Sequence, residues 1–229
     1  MSENIRSMFA RIAGRYDLMN SIITLGLHNR WRRKAVKLSG AKQDESALDC
    51  ACGTGDFAFE FRKVTGDKSY IMAVDFTQEM LDLIPEKISR KNLKIDFQKA
   101  DILSLPFDDN TFDYASIGYG VRNVDDPVKC FNEMSRVLKS GGKLVILETG
   151  QPPAFIRFFS NIYTFIFVRL AGKIIAGDWK AYTYLTTSAA QFPYGKTFTD
   201  LMQSTGKFSE IKSFPLLFGV SYIYIAEVK

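Results

Sequence analysis

The sequence predicts an α/β protein whose sheet is largely parallel and carries helices on both faces. Two observations lead to this fold class. Short apolar segments alternate with amphipathic ones between residues 47 and 147, and such alternation packs as a parallel sheet with crossover helices. The glycine-rich stretch CGTGD directly follows the first apolar segment, at the edge where sheets of this kind bind ligands.

The composition is that of one globular domain over residues 1–229, with 46% hydrophobic and 24% charged residues. The net charge of +5 is modest and no long basic tract is present, so we expect no nucleic-acid partner. A short basic cluster around Trp31 suits either an anionic membrane surface or the solvated face of a helix. Three cysteines and one histidine do not make a conventional zinc site, so no metal is expected. The N-terminus lacks the apolar core of a secretory signal, which favours a cytoplasmic location.

Residues 1–40 are predicted to form a helical cap, because apolar residues recur there at helical spacing up to Gly40. Residues 41–150 are predicted to form the cofactor-binding core. Its predicted strands are 47–51, 70–74, 93–99, 112–117 and 143–147, and its predicted helices are 57–64, 78–88 and 128–138.

Residues 151–229 are predicted to supply substrate-side helices and the last strands. The apolar run 155–175 is interrupted by Arg157, Arg169 and Lys173, so it falls short of the roughly 18 uncharged residues of a spanning helix. It suits a pocket for an apolar chain, an interfacial helix or ordinary core packing. Residues 211–214 and 221–228 read as two strands, the final one antiparallel.

The loop after the first strand predicts a cofactor site. Gly53, Gly55 and Ala58 satisfy the relaxed dinucleotide fingerprint, with Thr54 between the glycines. Asp56, however, falls in the first turn of the next helix, where a carboxylate repels a diphosphate and favours a cation.

The cation that this reasoning favours is S-adenosylmethionine, which carries a sulfonium and an ammonium and no phosphate. Asp49 at the end of the first strand adds a second negative group. Asp75 ends the second strand and can accept hydrogen bonds from ribose hydroxyls, with Thr77 as the N-cap of the next helix. Asp101 is placed to meet the adenine amine, and Ile102 to wall the ring.

Several stretches resemble class I S-adenosylmethionine methyltransferases. They are LDCACGTGDF, AVDFTQEML, ADILSLPFDDNTFDYAS and EMSRVLKSGGKLVILE. Three more are similar to the ubiquinone/menaquinone biosynthesis C-methyltransferases within that class. They are MFARIAGRYDLMNSIITLGLHNRWRR, GYGVRNVDDP and AYTYLTTSAAQFP.

The resemblance implies a Rossmann-like class I methyltransferase fold, with a seven-stranded, mostly parallel sheet whose last strand is antiparallel. It implies S-adenosylmethionine as cofactor and a polyprenylated quinol as substrate, either demethylmenaquinol or a 2-polyprenyl-6-methoxy-1,4-benzoquinol. It also implies peripheral membrane contact and leaves a homodimer possible. By motif, the cofactor residues are Thr54, Asp75, Phe76, Asp101, Ile102 and Gly118.

Three residues are candidates for catalysis. A quinol carbon becomes nucleophilic when the neighbouring hydroxyl is deprotonated, and a phenol of pKa near 10 needs help at neutral pH. Arg122 is the candidate cation for the phenolate. Asn123 would hold the substrate oxygen or brace the loop, and Tyr16 in the cap would contact the substrate ring or hydroxyl. His28, the single histidine, is an alternative base or a packing residue.

Other functions stay open at this level. The chain could methylate another apolar small molecule or a lipid headgroup. An NAD-dependent oxidoreductase would need a diphosphate tolerated at Asp56, and a catalytically silent binding module would make Arg122 dispensable.

Overall fold

The computed structural model describes residues 3–157, 184 and 187–229. Within this part of the chain, seven strands form one sheet in the order β3-β2-β1-β4-β5-β7-β6. The strands are β1 (Ala47–Cys50), β2 (Ile71–Asp75), β3 (Asp96–Lys99), β4 (Phe112–Gly118), β5 (Leu138–Thr149), β6 (Phe208–Leu216) and β7 (Ser221–Val228). The first five are parallel, and β7 runs antiparallel between β5 and β6. The predicted mixed sheet is confirmed.

The helices occur at the N-terminus and between the strands. They are α1 (Glu3–Ile12), α2 (Tyr16–Ile23), α3 (Leu27–Ser39), α4 (Asp56–Thr65), α5 (Gln78–Leu81), α6 (Ile84–Lys91), α7 (Pro127–Val137) and α8 (Gly195–Gln203). Short 3-10 turns lie at Ala13–Arg15, Val121–Asn123 and Leu217–Gly219. None of the helices in the described ranges is long and apolar enough to cross a membrane.

Two apolar clusters lie on opposite faces of the sheet. Along β1, Ala47 belongs to one cluster while Leu48 and Cys50 belong to the other, as the alternation of a strand requires. The first cluster also takes side chains from α3 and α4, and the second takes Phe131 of α7 and Phe198 of α8. A smaller cluster, including Met8 and Met19, holds the N-terminal cap together.

The structure differs from the sequence prediction at element ends. The single helix predicted over 78–88 is two helices, and Pro85 lies at the start of the second, where a missing amide donor is tolerated. The strand predicted from residue 93 begins at Asp96, and the strand predicted over 211–214 spans Phe208–Leu216. The apolar run 155–175 is described only as far as residue 157; the rest of it, with Asp178 and Tyr182, lies outside the described residues.

Strand β5 begins before the predicted glycine turn rather than after it. Phe112 pairs with Leu138 and Tyr114 with Lys143, so the register shifts between the two pairs. The extra residues of β5 form a bulge that contains Gly142. A Cβ at Gly142 would lie 2.8 Å from the carbonyl oxygen of Lys139 and 3.0 Å from that of Asp113.

We expect Gly142→Ala to lower the free energy of unfolding by about 1–3 kcal/mol, because backbone atoms in a paired strand cannot move aside. Urea unfolding measures the change. Gly14→Ala is the matched control, since a Cβ there meets nothing within 4 Å. Equal stability of the two variants would contradict this account of the bulge.

Candidate active site

A cavity of about 620 Å³, counting space open to solvent, lies at the carboxyl ends of β1, β2 and β4. The strand order reverses between β1 and β4, so this is the crevice where open parallel sheets bind ligands. Its described lining residues are Phe9, Tyr16, Ala51, Gly53, Asp75, Phe76, Thr77, Met80, Asp101, Ile102, Gly118, Tyr119, Gly120, Asn123 and Val124.

The lining of this cavity is acidic. Asp75 and Asp101 contribute carboxylates, whereas none of the lining residues that the structure describes is a lysine, arginine or histidine. A diphosphate would meet like charges without a compensating cation, while a positively charged ligand would be attracted. The cavity therefore suits a cationic cofactor better than a dinucleotide.

Asp75 connects two loops of the site. Its Oδ2 accepts a hydrogen bond from the Gly53 amide and its Oδ1 one from the Thr77 amide, both at 2.8 Å. Burial raises the pKa of this carboxyl, although the two amides act to lower it. Each oxygen keeps a further lone pair, so the carboxylate can still accept from ligand hydroxyls. Thr77 is the N-cap of α5, but its side chain makes no capping hydrogen bond.

The walls of the cavity fit a cofactor with an adenosine part. Gly53 has a φ of 55°, and a Cβ there would come within 3.5 Å of Tyr16 Cε1, narrowing the space between loop and cap. Phe76 and Ile102 supply apolar surface for a flat ring. The carboxylate of Asp101 accepts one hydrogen bond at 2.9 Å, from the Leu103 amide, and also lines the cavity.

Three predicted cofactor residues lie behind the cavity wall rather than in it. Asp49 is buried and accepts hydrogen bonds from the Ala58 amide and the Ser116 hydroxyl; burial raises its pKa to about 7. A Cβ at Gly55 would point toward the apolar side chains of Ile95, Ile84 and Phe59 and away from the cavity. Asp49 and Gly55 therefore help to shape the glycine loop from behind.

Thr54, the third of them, faces the cap. Its hydroxyl donates to Asp17 Oδ1 at 2.7 Å and accepts from Lys87 Nζ at 2.6 Å. Asp17 lies in the first turn of α2, and its carboxylate contacts the glycine loop.

The prediction that the Asp56 carboxylate faces the cofactor is wrong. Asp56 is not among the described lining residues of the cavity; its carboxylate pairs with Lys87 at 2.8 Å and Arg32 at 3.3 Å. Burial acts to raise the pKa of Asp56, yet these two cations outweigh it and hold the pKa at about 2. The negative charge available to a ligand comes from Asp75 and Asp101 instead.

The structure brings two of the three catalytic candidates into the cavity. Tyr16 and Asn123 line it, and Asn123 Oδ1 accepts a hydrogen bond from the Tyr184 hydroxyl at 3.2 Å. Arg122 does not line it. Its Nη1 donates to Glu148 Oε1 at 2.6 Å, with side-chain exposures of 7% and 1%.

The charge of Arg122 nevertheless acts on groups at the cavity. Burial raises the pKa of Tyr16 and of Tyr184. On Tyr16 this is opposed first by a hydrogen bond with Asn20, then by the charge of Arg32 and then by that of Arg122; on Tyr184 it is opposed by the charge of Arg122. Among the described residues, Arg122 Nε and Glu148 Oε2 have no hydrogen-bond partner.

Sequence reasoning missed Glu148 and Tyr119. Tyr119 lines the cavity with a φ of 57°, and its hydroxyl lies 3.2 Å from Ser221 Oγ. Burial raises its pKa to about 12. Two features of the sequence could have indicated these residues. Glu148 lies near the end of β5, at the edge of the sheet where ligands bind, and Tyr119 lies between two glycines at the end of β4.

Comparison with known proteins decides the family. A model of the ubiE/COQ5 methyltransferase family matches residues 1–227. The chain belongs to this family. The predicted S-adenosylmethionine-dependent methyltransferase is thereby confirmed, and its cofactor agrees with the acidic cavity.

Similar proteins share most of the chain. It is 43% identical over 229 residues to the ubiquinone/menaquinone biosynthesis C-methyltransferase UbiE of Bdellovibrio bacteriovorus, covering 99% of this chain and 97% of that protein. It is 34% identical over 230 residues to the demethylmenaquinone methyltransferase of Bacillus cereus (strain ATCC 10987 / NRS 248), covering 97% and 94%.

Solved structures confirm the class I methyltransferase fold. A putative S-adenosylmethionine-dependent methyltransferase of Methanococcus maripaludis superposes with a TM-score of 0.67 at 20% identity, covering 100% of this chain and 97% of that chain. A possible histamine N-methyltransferase of Thermotoga maritima gives 0.67 at 18% identity, covering 98% and 100%.

His28 lies outside the cavity lining and is 2% exposed, with Nδ1 2.7 Å from Thr24 Oγ1. Burial, followed by the charge of Arg32, lowers its pKa to about 4. The imidazole is therefore neutral and weakly basic at physiological pH, which argues against the alternative of a histidine base.

We expect His28 to make the fold less stable as the pH falls from about 6.5 to 4. In this window the unfolded chain binds a proton, at a pKa near 6.5, that the folded chain does not, so the free energy of unfolding decreases. Urea unfolding at pH 7.5 and pH 5 measures the loss. His28→Asn should show a smaller loss, since the chain has one histidine; an equal loss in both proteins would refute the assignment.

Proposed function

We propose that this chain transfers a methyl group from S-adenosylmethionine to a ring carbon of a polyprenylated quinol in respiratory quinone biosynthesis. The observation that carries the proposal is the match of residues 1–227 to the ubiE/COQ5 family. Relatives named for ubiquinone/menaquinone and for demethylmenaquinone methylation support it over nearly the whole chain.

The cofactor would be held mainly by Asp75 and Asp101, with Gly53 admitting it close to the backbone. Gly118 also lines the cavity, but a Cβ there would stand 3.0 Å from the Phe57 ring, so this glycine makes room for Phe57. When bound, it supplies an electrophilic methyl group on a positively charged sulfur. Phe76 and Ile102 would pack against its ring. Thr54 would contribute by fixing the glycine loop, because its hydroxyl is already engaged by Asp17 and Lys87.

The chain's own residues would make the quinol carbon reactive. A positive charge near the substrate hydroxyl favours the phenolate, and Arg122 provides one whose influence reaches Tyr16 and Tyr184. Asn123 would position the substrate oxygen. Glu148 would fix the guanidinium, because a buried arginine needs a counterion and this carboxylate is its partner.

We expect cells lacking this protein to accumulate a demethylated quinone, measured by mass spectrometry of lipid extracts. Arg122→Ala should fail to restore the methylated quinone, since losing a group that stabilises developing charge costs about 100-fold or more in rate. Lys196→Ala, which removes one partner of an exposed ion pair on α8, is the control and should restore it. An unchanged quinone pool in the deletion strain would reject the substrate class.

Arg122→Ala also leaves Glu148 buried without a counterion, so folding and cofactor binding need a separate measurement. Glu148→Gln keeps an acceptor for Arg122 and serves as the second variant. Both proteins should bind S-adenosylmethionine in calorimetry while turning over slowly. Full activity in both would remove the pair from the mechanism.

We further propose a cytoplasmic enzyme that touches the membrane through the tip between β6 and β7. Leu217 and Phe218 are 50% and 71% exposed there, and both have positive φ values, 43° and 56°. The Gly150 amide donates to the Val220 carbonyl at 2.9 Å, which ties this tip to the end of β5 at the ligand edge. Strained, exposed apolar residues at this edge suit entry of a lipid-borne substrate.

A homodimer stays a prediction.

Replacing Leu217 and Phe218 with serine should weaken binding to phosphatidylcholine/phosphatidylglycerol vesicles by tenfold or more, since burying such a side chain contributes about 1.5–3 kcal/mol. Co-sedimentation measures it. Val64→Ser is the control, because Val64 is 41% exposed near the end of α4, at the opposite edge of the sheet. The same serine variant should methylate a short-tailed, water-soluble quinol at the wild-type rate. Equal vesicle binding by the tip variant and the control would contradict the proposed contact.

A further inference from the structure

We propose that Lys87 is a positioning residue that fastens the N-terminal cap to the glycine loop and thereby sets the wall of the cavity at Tyr16. The inference concerns the cofactor cavity and does not depend on which substrate the enzyme methylates.

Lys87 connects two acidic residues that belong to different parts of the chain. Its Nζ lies 2.7 Å from Asp17 Oδ2, in the cap, and 2.8 Å from Asp56 Oδ1, at the start of α4. It also donates to the Thr54 hydroxyl at 2.6 Å. The side chain is only 14% exposed, so solvent screens these contacts weakly.

The cap end of this connection lies next to a cavity residue. Asp17 directly follows Tyr16 at the start of α2. Tyr16 in turn faces Gly53, where a Cβ would stand 3.5 Å from its ring. Thr54 follows Gly53 in the chain, just as Asp17 follows Tyr16. By binding Thr54 and Asp17, the ammonium of Lys87 therefore holds both sides of the narrow gap between Gly53 and Tyr16.

Two other contacts join the cap to this region. The Thr54 hydroxyl donates directly to Asp17 Oδ1 at 2.7 Å. Arg32 Nη1 lies 3.3 Å from Asp56 Oδ2 but makes no hydrogen bond with suitable geometry among the described residues. Without Lys87, the carboxylates of Asp17 and Asp56 would lose the cation that they share, and Arg32 compensates only one of them. Like charges would then favour separation of the cap from the loop.

Movement of the cap changes the shape of the cavity, because Phe9 and Tyr16 contribute the cap's part of its lining. A partly buried ion pair at this junction sets how often the cap opens, and losing it should favour the open state.

Hydrogen exchange of the ligand-free protein tests this role. In Lys87→Met, amides of residues 3–23 should exchange about tenfold faster, a typical size for coupling between linked sites, whereas those of β4 should not change. Arg90→Met is the matched control, because it removes an exposed ion pair with Glu86 on the same helix; its cap should exchange at the wild-type rate.

A double-mutant cycle with Asp17→Asn separates a direct contact from general destabilisation. If Lys87 acts through Asp17, the double variant should exchange no faster in the cap than the stronger single variant. Unchanged cap exchange in Lys87→Met, or strictly additive effects, would overturn the proposal. If Lys87→Met increases exchange throughout the protein, the Asp17→Asn variant tests the proposal instead, because Asp17 is 43% exposed and its replacement disturbs the fold less. Faster exchange confined to the cap of Asp17→Asn supports the proposal, and unchanged exchange in its cap rejects it.

Discussion

The two hydrogen bonds that Asp75 accepts from backbone amides hold the site together. One joins the end of β2 to the glycine loop after β1, and the other fixes the start of the next loop at Thr77. The carboxylate satisfies both amides, which would otherwise need another hydrogen-bond partner. Asp75 also lines the cavity, so the residue that joins the two loops also gives the site a negative charge.

Charges near the cavity are separated into two groups with different surroundings. Asp75 and Asp101 line the cavity, and none of its described lining residues is a lysine, arginine or histidine. Asp17 and Asp56 carry the same charge but share Lys87, and Asp56 also meets Arg32. Carboxylates that are paired with a cation attract a further cation weakly, so the second group fixes geometry, while the first group leaves negative charge available to a ligand.

The sequence allowed much of the fold to be predicted, because buried parallel strands appear as short apolar runs and glycines mark their ends. It could not fix which carboxylates line the cavity. Asp56 follows the glycine loop directly, but its direction depends on Lys87, 31 residues later. The pairing of Arg122 with Glu148 likewise crosses 26 residues and two adjacent strands. Cofactor identity was predicted correctly from the wrong residue, since any acidic lining favours the same cation.

The Arg122–Glu148 pair places a buried charge beside the cavity, with side-chain exposures of 7% and 1%. An apolar pair of similar size is often as stable as a buried ion pair, so stability alone does not explain this choice. Removing either partner would leave the other charge buried and uncompensated, so each side chain holds the other in place. In the proposed reaction, a guanidinium that is already fixed beside the site can stabilise the developing charge of a phenolate without having to reorganise.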